Sequence, residues 1–260
     1  MSTHAGHPVR RADVCAVAVA DTFRGDGETL ANPIGIIAMI GGRLARATYE
    51  PDLLMTDGEA GLIANHEAVP AKRDRMVETY NPYRRMFDVV WSGRRHVMMG
   101  ATQVDQYGNQ NIAGLGGTPA RPKTQLLGFR GAPGNTINDT TSYFVAVHGP
   151  RVFVPTVDVV TGIGYDRAAA LGPVAARFHE IRRVVSNLGV FDFETPDHRM
   201  RLRSVHPGVT AEDVVAATGF ELVIPSSVTT SRLPTPDELR LLDDIIDPEG
   251  TRYSEVPDPT

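Results

Sequence analysis

Cysteine is all but missing from this sequence: 260 residues contain only Cys15, so an internal disulfide and a thiolate metal cage are both excluded. No apolar run approaches the roughly 18 residues that a membrane helix needs. The opening residues 1–11 are polar and lack the apolar core of a secretory signal, so a cytoplasmic location is expected. Basic excess is also absent, since 26 Lys and Arg against 31 Asp and Glu leave a formal charge of -5. That balance argues against a dominant nucleic-acid surface, although local basic clusters remain able to meet a phosphorylated ligand. The eight histidines show no HExxH or paired spacing, and no metal is expected. There is no GxSxG elbow for a serine hydrolase, no GxGxxG dinucleotide fingerprint and no Walker lysine.

What is present is the composition of an ordinary globular protein, 42% hydrophobic and 22% charged. We expect one domain over 1–260, with 1–9 and 248–260 as flexible tails. Residues 12–23 are too densely apolar for a strict stripe but fit a helix, with Cys15 packed inertly inside it. Asn32-Pro33 reads as a turn, and 34–47 as a second, mostly buried helix despite Gly35, Gly41 and Gly42. A short strand over 53–56 follows directly, giving the αβ unit of a parallel-sheet protein.

Further on, Tyr83, Met86, Phe87, Val90 and Trp91 recur at helical spacing within 82–92, which suits a core-facing helix better than a cofactor box. A strand at 96–100 and a turn-rich loop at 103–109 come next, and 114–135 reads as a glycine- and proline-rich loop. Strands are expected at 143–147, 152–160, 182–185 and 201–205. Thr210 caps a helix that ends before Gly219, and Thr235 caps a last helix over 238–246.

Two stretches carry candidate chemistry. In Asp57-Gly58-Glu59-Ala60-Gly61 an acid sits between glycines just beyond a strand's carboxyl end, where ligands bind in parallel sheets. Glu59 is the candidate catalytic residue, with an ordinary surface turn as the alternative. In Gly131-Ala132-Pro133-Gly134-Asn135-Thr136, backbone N–H groups could meet an oxyanion at a helix start, so Gly131, Gly134 and Asn135 are candidate substrate-binding residues. The pairs Arg84-Arg85 and Arg94-Arg95 fit a phosphate contact or a solvated helix face and turn, and neither is placed in the site.

Several of these pieces together resemble the beta subunits of class I coenzyme A transferases. They are Asp57 to Gly61, then Gly100-Ala101-Thr102-Gln103-Val104-Asp105 with Gly108-Asn109, then Gly131 to Asn135. Downstream come Val157-Asp158-Val159-Val160-Thr161, Asn187-Leu188-Gly189-Val190-Phe191, His206-Pro207-Gly208-Val209 and Ala217-Thr218-Gly219-Phe220. The resemblance runs from about residue 10 to 247. It implies an α/β fold of the NagB/RpiA/CoA transferase-like type: an open, largely parallel sheet with flanking helices and a smaller β-rich C-terminal part. It also implies a homologous alpha subunit in an α2β2 heterotetramer, and coenzyme A arriving as part of a substrate thioester, with no permanently bound cofactor.

In such transferases a glutamate in a Ser-Glu-Asn-Gly turn carries CoA as an enzyme thioester. Glu59 matches it and Gly61 matches the closing glycine, whereas Gly58 and Ala60 replace the serine and asparagine. Within the family the chain resembles the beta chains of actinobacterial steroid ring-opening hydrolases. That likeness implies attack of water on a ring ketone beta to a CoA thioester, followed by carbon–carbon cleavage. Transferase activity with Glu59 as CoA carrier, and a purely structural role beside a catalytic alpha subunit, are the alternatives.

Overall fold

The computed structural model describes residues 3–4, 7–56, 61–66, 68–69, 76–82 and 84–258. They form two compact units, Met1–Met99 with Ser231–Thr260 and Gly100–Thr230.

The first unit contains α1 (Arg11–Thr22), β1 (Leu30–Pro33), α2 (Ile36–Thr48), β2 (Leu54–Met55), β3 (Gly61–Ile63), β4 (Val77–Tyr80), α3 (Arg85–Ser92) and β5 (Arg95–Gly100). β1 lies between β2 and β5 and is parallel to both. Helix α1 is apolar on nearly every side because nearly every side is covered, with Ala12 through Ala20 all buried. Its Cys15 is shut in, and burial pushes the thiol up to about 12, so it is inert at neutral pH. The two glycines inside α2 let that helix approach both neighbours. A Cβ on Gly41 would lie 2.3 Å from Val19 Cγ1 of α1, and one on Gly42 would lie 3.0 Å from Pro33 Cγ and 3.2 Å from Met55 Cε.

Two expectations are corrected here. Asn32 and Pro33 are the end of strand β1, not a turn. Proline has no N–H to donate, and the next residue takes over, Ile34 N donating to Met98 O at 2.8 Å. Helix α3 forms as its spacing predicts, but Phe87 and Trp91 are 58% and 79% exposed instead of lying in the core.

The second unit contains β6 (Gln103–Val104), β7 (Gln110–Asn111), β8 (Gly114–Thr118), β9 (Arg121–Gln125), α4 (Ala132–Asn138), β10 (Thr140–Val145), α5 (Tyr165–Ala170), α6 (Pro173–Ala176), β11 (Glu180–Ser186), β12 (Gly189–Asp192), β13 (Arg201–Val205), α7 (Ala211–Ala216) and β14 (Thr229–Thr230). Its sheet runs β10-β11-β12-β13-β14, parallel at the first and last pairings and antiparallel between. Small two-stranded hairpins aside, parallel pairings outnumber antiparallel ones, and helices flank the strands, as in the expected α/β fold.

The span 114–135 is not a continuous loop: it holds the antiparallel hairpin β8–β9 and leads into α4. Nor is 152–160 a strand. Its apolar residues Phe153, Val154 and Val157 are buried, and Phe153 forms an isolated parallel bridge with Val104 in place of a ladder.

The chain then returns to the first unit, where helix Pro236–Leu241 continues into a π turn, Leu242–Ile246, and helix Arg252–Glu255 follows. The loose tail expected from 248 is packed through Val256. Arg252 is fully buried, and Glu255 accepts a hydrogen bond from Ile37 N at 2.6 Å, serving the start of α2, which has no side-chain cap of its own.

Candidate functional site

Glu59, with Asp57, Gly58 and Ala60, lies outside the described residues; the structure on either side of it is defined. β2 ends at Met55, and Thr56 then forms an antiparallel bridge with Leu62 in β3. β3 pairs with β4, with Gly61 opposite Tyr80. Helix α2 reaches the same place: Arg46 Nη1 donates to Ile63 O at 2.6 Å and Nη2 to Ala64 O at 2.9 Å. A small depression is lined by Arg43, Arg46, Met55, Thr56, Ile63, Asn65 and His66.

Burial and the charge of Arg46 hold the His66 imidazole below its ordinary pKa, and burial lowers that of Arg46 itself, opposed by Glu78. Sequence reasoning does not single out Arg43 and Arg46. Their only signal is position, i and i+3 on the helix just before the strand that leads to Glu59.

Gly131, Gly134 and Asn135 fall together at the start of α4 in the second unit, whereas Glu59 belongs to the span of the first. Gly131 precedes the helix with ordinary backbone angles, and its carbonyl accepts Asn135 N at 3.0 Å. Gly134 O accepts Asn138 Nδ2 at 3.1 Å, and Asn135 is buried.

The motif at 103–109 proves to be a buried polar network. Asp105 accepts from Tyr107 N at 3.0 Å, Asn109 N at 3.1 Å and Asn109 Nδ2 at 3.0 Å. Asn109 Nδ2 also donates to Asp166 at 2.9 Å, while Asn109 Oδ1 accepts Gly164 N at 2.7 Å. Burial pushes the Asp105 carboxyl up to about 6 even though these donors pull it back.

Several of the downstream motifs meet at His148. Its ring nitrogens lie 2.9 Å from Ser186 Oγ and 3.0 Å from Thr218 Oγ1, and its backbone N–H donates to Asn187 Oδ1 at 2.8 Å. The ring stacks on Phe153 at 3.6 Å, and His206 Nε2 lies 2.8 Å from Ser186 O. Burial lowers His148 to about 3. With both nitrogens engaged by hydroxyls and no charge at neutral pH, it joins three segments of chain and is not placed to move protons for a substrate.

Residues 82–217 match the family model described as Coenzyme A transferase. The chain belongs to the coenzyme A transferase family. It is 52% identical over 248 residues to the cholesterol ring-cleaving hydrolase IpdB subunit of Rhodococcus jostii RHA1, covering 95% of this chain and 96% of that protein. The crystal structure of Rhodococcus jostii RHA1 IpdAB superposes with a TM-score of 0.91 at 52% identity, covering 96% of this chain and 99% of that chain. One of the subunits of glutaconate CoA-transferase from Acidaminococcus fermentans is 27% identical over 265 residues, 93% of this chain and 94% of that protein. The NagB/RpiA/CoA transferase-like fold expected from the motifs is therefore the fold of this chain. Among the described residues no helix is long and apolar enough to cross a membrane.

Proposed function

We infer that this chain is the beta subunit of a CoA-thioester hydrolase that opens the last ring of a steroid degradation intermediate. The observation that carries this reading is the 52% identity to the Rhodococcus jostii ring-cleaving hydrolase subunit over nearly the full length of both chains. The working enzyme is a complex with a homologous alpha subunit, as an α2β2 heterotetramer in the cytoplasm. Coenzyme A enters as part of the substrate.

Glu59 is the residue of this chain assigned to the chemistry, and Gly131, Gly134 and Asn135 are assigned to binding the substrate. As general base, Glu59 takes a proton from water while the water oxygen bonds to the ring ketone carbon beta to the thioester. The ring carbon–carbon bond then breaks. Its electron pair passes into the thioester enolate, which hydrogen-bond donors stabilise until it is protonated, leaving a ring-opened carboxylate still attached to CoA.

Transfer of CoA through a Glu59 thioester is the second reading, favoured by the 27% identity to a glutaconate CoA-transferase chain. Replacement of the transferase serine and asparagine by Gly58 and Ala60 weighs against it, because losing one oxyanion donor costs about 2.7 to 4 kcal/mol in an acyl-transfer site. One pair of assays on the assembled complex decides between them. A cyclic beta-keto CoA thioester in isotopically labelled water should open with label in the new carboxylate, and acyl-CoA with a free acid acceptor should exchange no CoA. Efficient exchange without ring opening overturns the hydrolase reading. Full activity of Glu59→Gln would instead make this chain the structural partner of a catalytic alpha subunit.

A further inference from the structure

We propose that the exposed apolar surface of β4 and α3 is the face on which the alpha subunit docks, an inference that rests on the reading of this chain as one of two unlike subunits. All four residues of β4 are exposed, Tyr80 at 71% and Val77 at 54%, and Met76 just before the strand is 63% exposed. Among the described strands β4 pairs with β3 alone. Helix α3 follows, and none of its described side chains is buried. Among the described residues it packs closely on no other helix or strand. Its eight residues fall short of the roughly 12–15 that an isolated helix needs to be even marginal in water, so α3 calls for a covering surface.

Phe87 and Trp91 stand four residues apart and share one side of that helix. The exposed parts of Trp91, Phe87, Tyr80, Met76 and Val77 come to about 600 Å², most of the roughly 800 Å² that one partner contributes to a stable interface. Charge favours an unlike chain over a second copy. Arg84, Arg85 and Arg94 are exposed in and beside α3, and the exposed carboxylates among the described residues of 76–94 are Glu78 and Asp88. Glu78 already acts on Arg46. A twofold pair doubles cations and anions alike and leaves the cationic excess in place, whereas an unlike subunit can bring carboxylates to meet it.

The test uses the complex co-expressed with its alpha subunit. Tyr80 and Tyr143 supply an internal standard, since the first is exposed on this chain and the second is fully buried. Under hydroxyl-radical labelling of the complex, Tyr80 should be modified no faster than Tyr143. Trp91→Glu should weaken the association of the two chains about 30-fold or more, the loss that follows removal of a central aromatic anchor, and should release free alpha subunit on dilution. Trp91→Phe should recover most of the affinity.

Fast labelling of Tyr80 in the complex overturns the proposal, and so does a Trp91→Glu complex as tight as the wild type. If Trp91→Glu splits the assembly into halves that each keep an alpha subunit, a second copy of this chain covers the face, which also overturns it. If Trp91→Glu does not accumulate, the labelling of Tyr80 in the wild-type complex decides alone. Failure of the wild-type chain to bind any alpha subunit overturns the two-subunit reading itself, a result distinct from a complex that forms and leaves Tyr80 open to label.

Discussion

In the first unit Asp13 and Asp247 lie buried against the guanidinium of Arg252; in the second, Asp105 lies just as buried, but its neighbours are amides. Arg252 Nε donates to Asp13 at 2.7 Å and Nη1 to Asp247 at 2.9 Å, and Nη2 also bonds Asp243 and the Tyr253 hydroxyl. Burial alone would drive the guanidinium's pKa down, yet the hydrogen bond and charge of Asp13 prevail and hold it above its ordinary value. The guanidinium stays charged at every physiological pH. Burial, with the added repulsion of Asp166, pushes the Asp105 carboxyl up to about 6 against the pull of its N–H donors. A buried carboxylate paired with a guanidinium is a permanent fastener, whereas one held by amides makes stability depend on pH.

The largest expected effect breaks the first half of that contrast. Arg252→Met leaves Asp13 and Asp247 buried without their cation and should destabilise the complex by about 3–5 kcal/mol in chemical denaturation. An unfolding midpoint equal to that of the wild type would mean that the C-terminal segment is held by something other than its ion cluster.

The second prediction concerns the amide-held carboxylate. Its folded-state pKa is raised from 3.8 to about 6, so between these values the folded chain binds more protons than the unfolded one. This contribution therefore falls as pH rises through roughly 4 to 6 and then levels off, a change of up to roughly 3 kcal/mol. Asp105→Asn retains an oxygen for the Tyr107 and Asn109 N–H groups and removes the charge. Urea midpoints measured across this pH range should fall less steeply in the variant, and identical slopes would refute the assignment.

Gly164 sharpens the same point with a smaller effect. A Cβ there would lie 2.4 Å from Tyr107 O and 2.6 Å from Asn109 N, at the seal of the Asp105 turn. Gly164→Ala should cost about 1–3 kcal/mol through overpacking. By admitting water to the turn it should also flatten part of the pH dependence that Asp105 creates. A loss of stability with the full wild-type slope would mean that the seal does not control Asp105.

These contrasts mark what is legible in the sequence. Helix starts at Thr210 and Thr235 can be read because donor and acceptor lie three residues apart. The buried α1 and α2 can be read from apolar density. Partners distant in sequence are hidden: Arg252 reads as part of a polar tail until Asp13, at the other end of the chain, closes on it. Phe153 lies in an apolar alternation, but its place is fixed by the His148 ring and by Gly219, whose N–H donates to its carbonyl at 2.8 Å. Helical spacing finds α3, but no local pattern says whether another surface covers Phe87 and Trp91. The candidate site divides along the same line. Glu59 is a proposal read from its glycines and its strand, while Arg46 bonds carbonyls 17 and 18 residues away that carry no side-chain signature.

The smallest prediction compares one helix cap from each unit. Thr210 and Asp213 form a reciprocal box, Asp213 N donating to Thr210 Oγ1 at 3.1 Å and Thr210 N to Asp213 Oδ2 at 2.9 Å, with both bonds exposed to solvent. Thr235 and Glu238 form the same box, but Glu238 is buried and Arg232 grips both of its oxygens at 2.8 Å. Arg232 is held in turn by Asp21 of α1 at 2.8 Å and 3.0 Å. Despite its burial, the bond from Arg232 keeps the Glu238 carboxyl below its ordinary pKa, so the box remains ionised and rigid. Thr210→Ala should therefore cost about 0.5 kcal/mol, because water replaces the lost oxygen, while Thr235→Ala should cost about 1 to 2 kcal/mol, because the Glu238 N–H loses its acceptor in a less accessible place. Equal losses for the two variants in denaturation of the complex would mean that the Arg232 network adds nothing to the cap it surrounds.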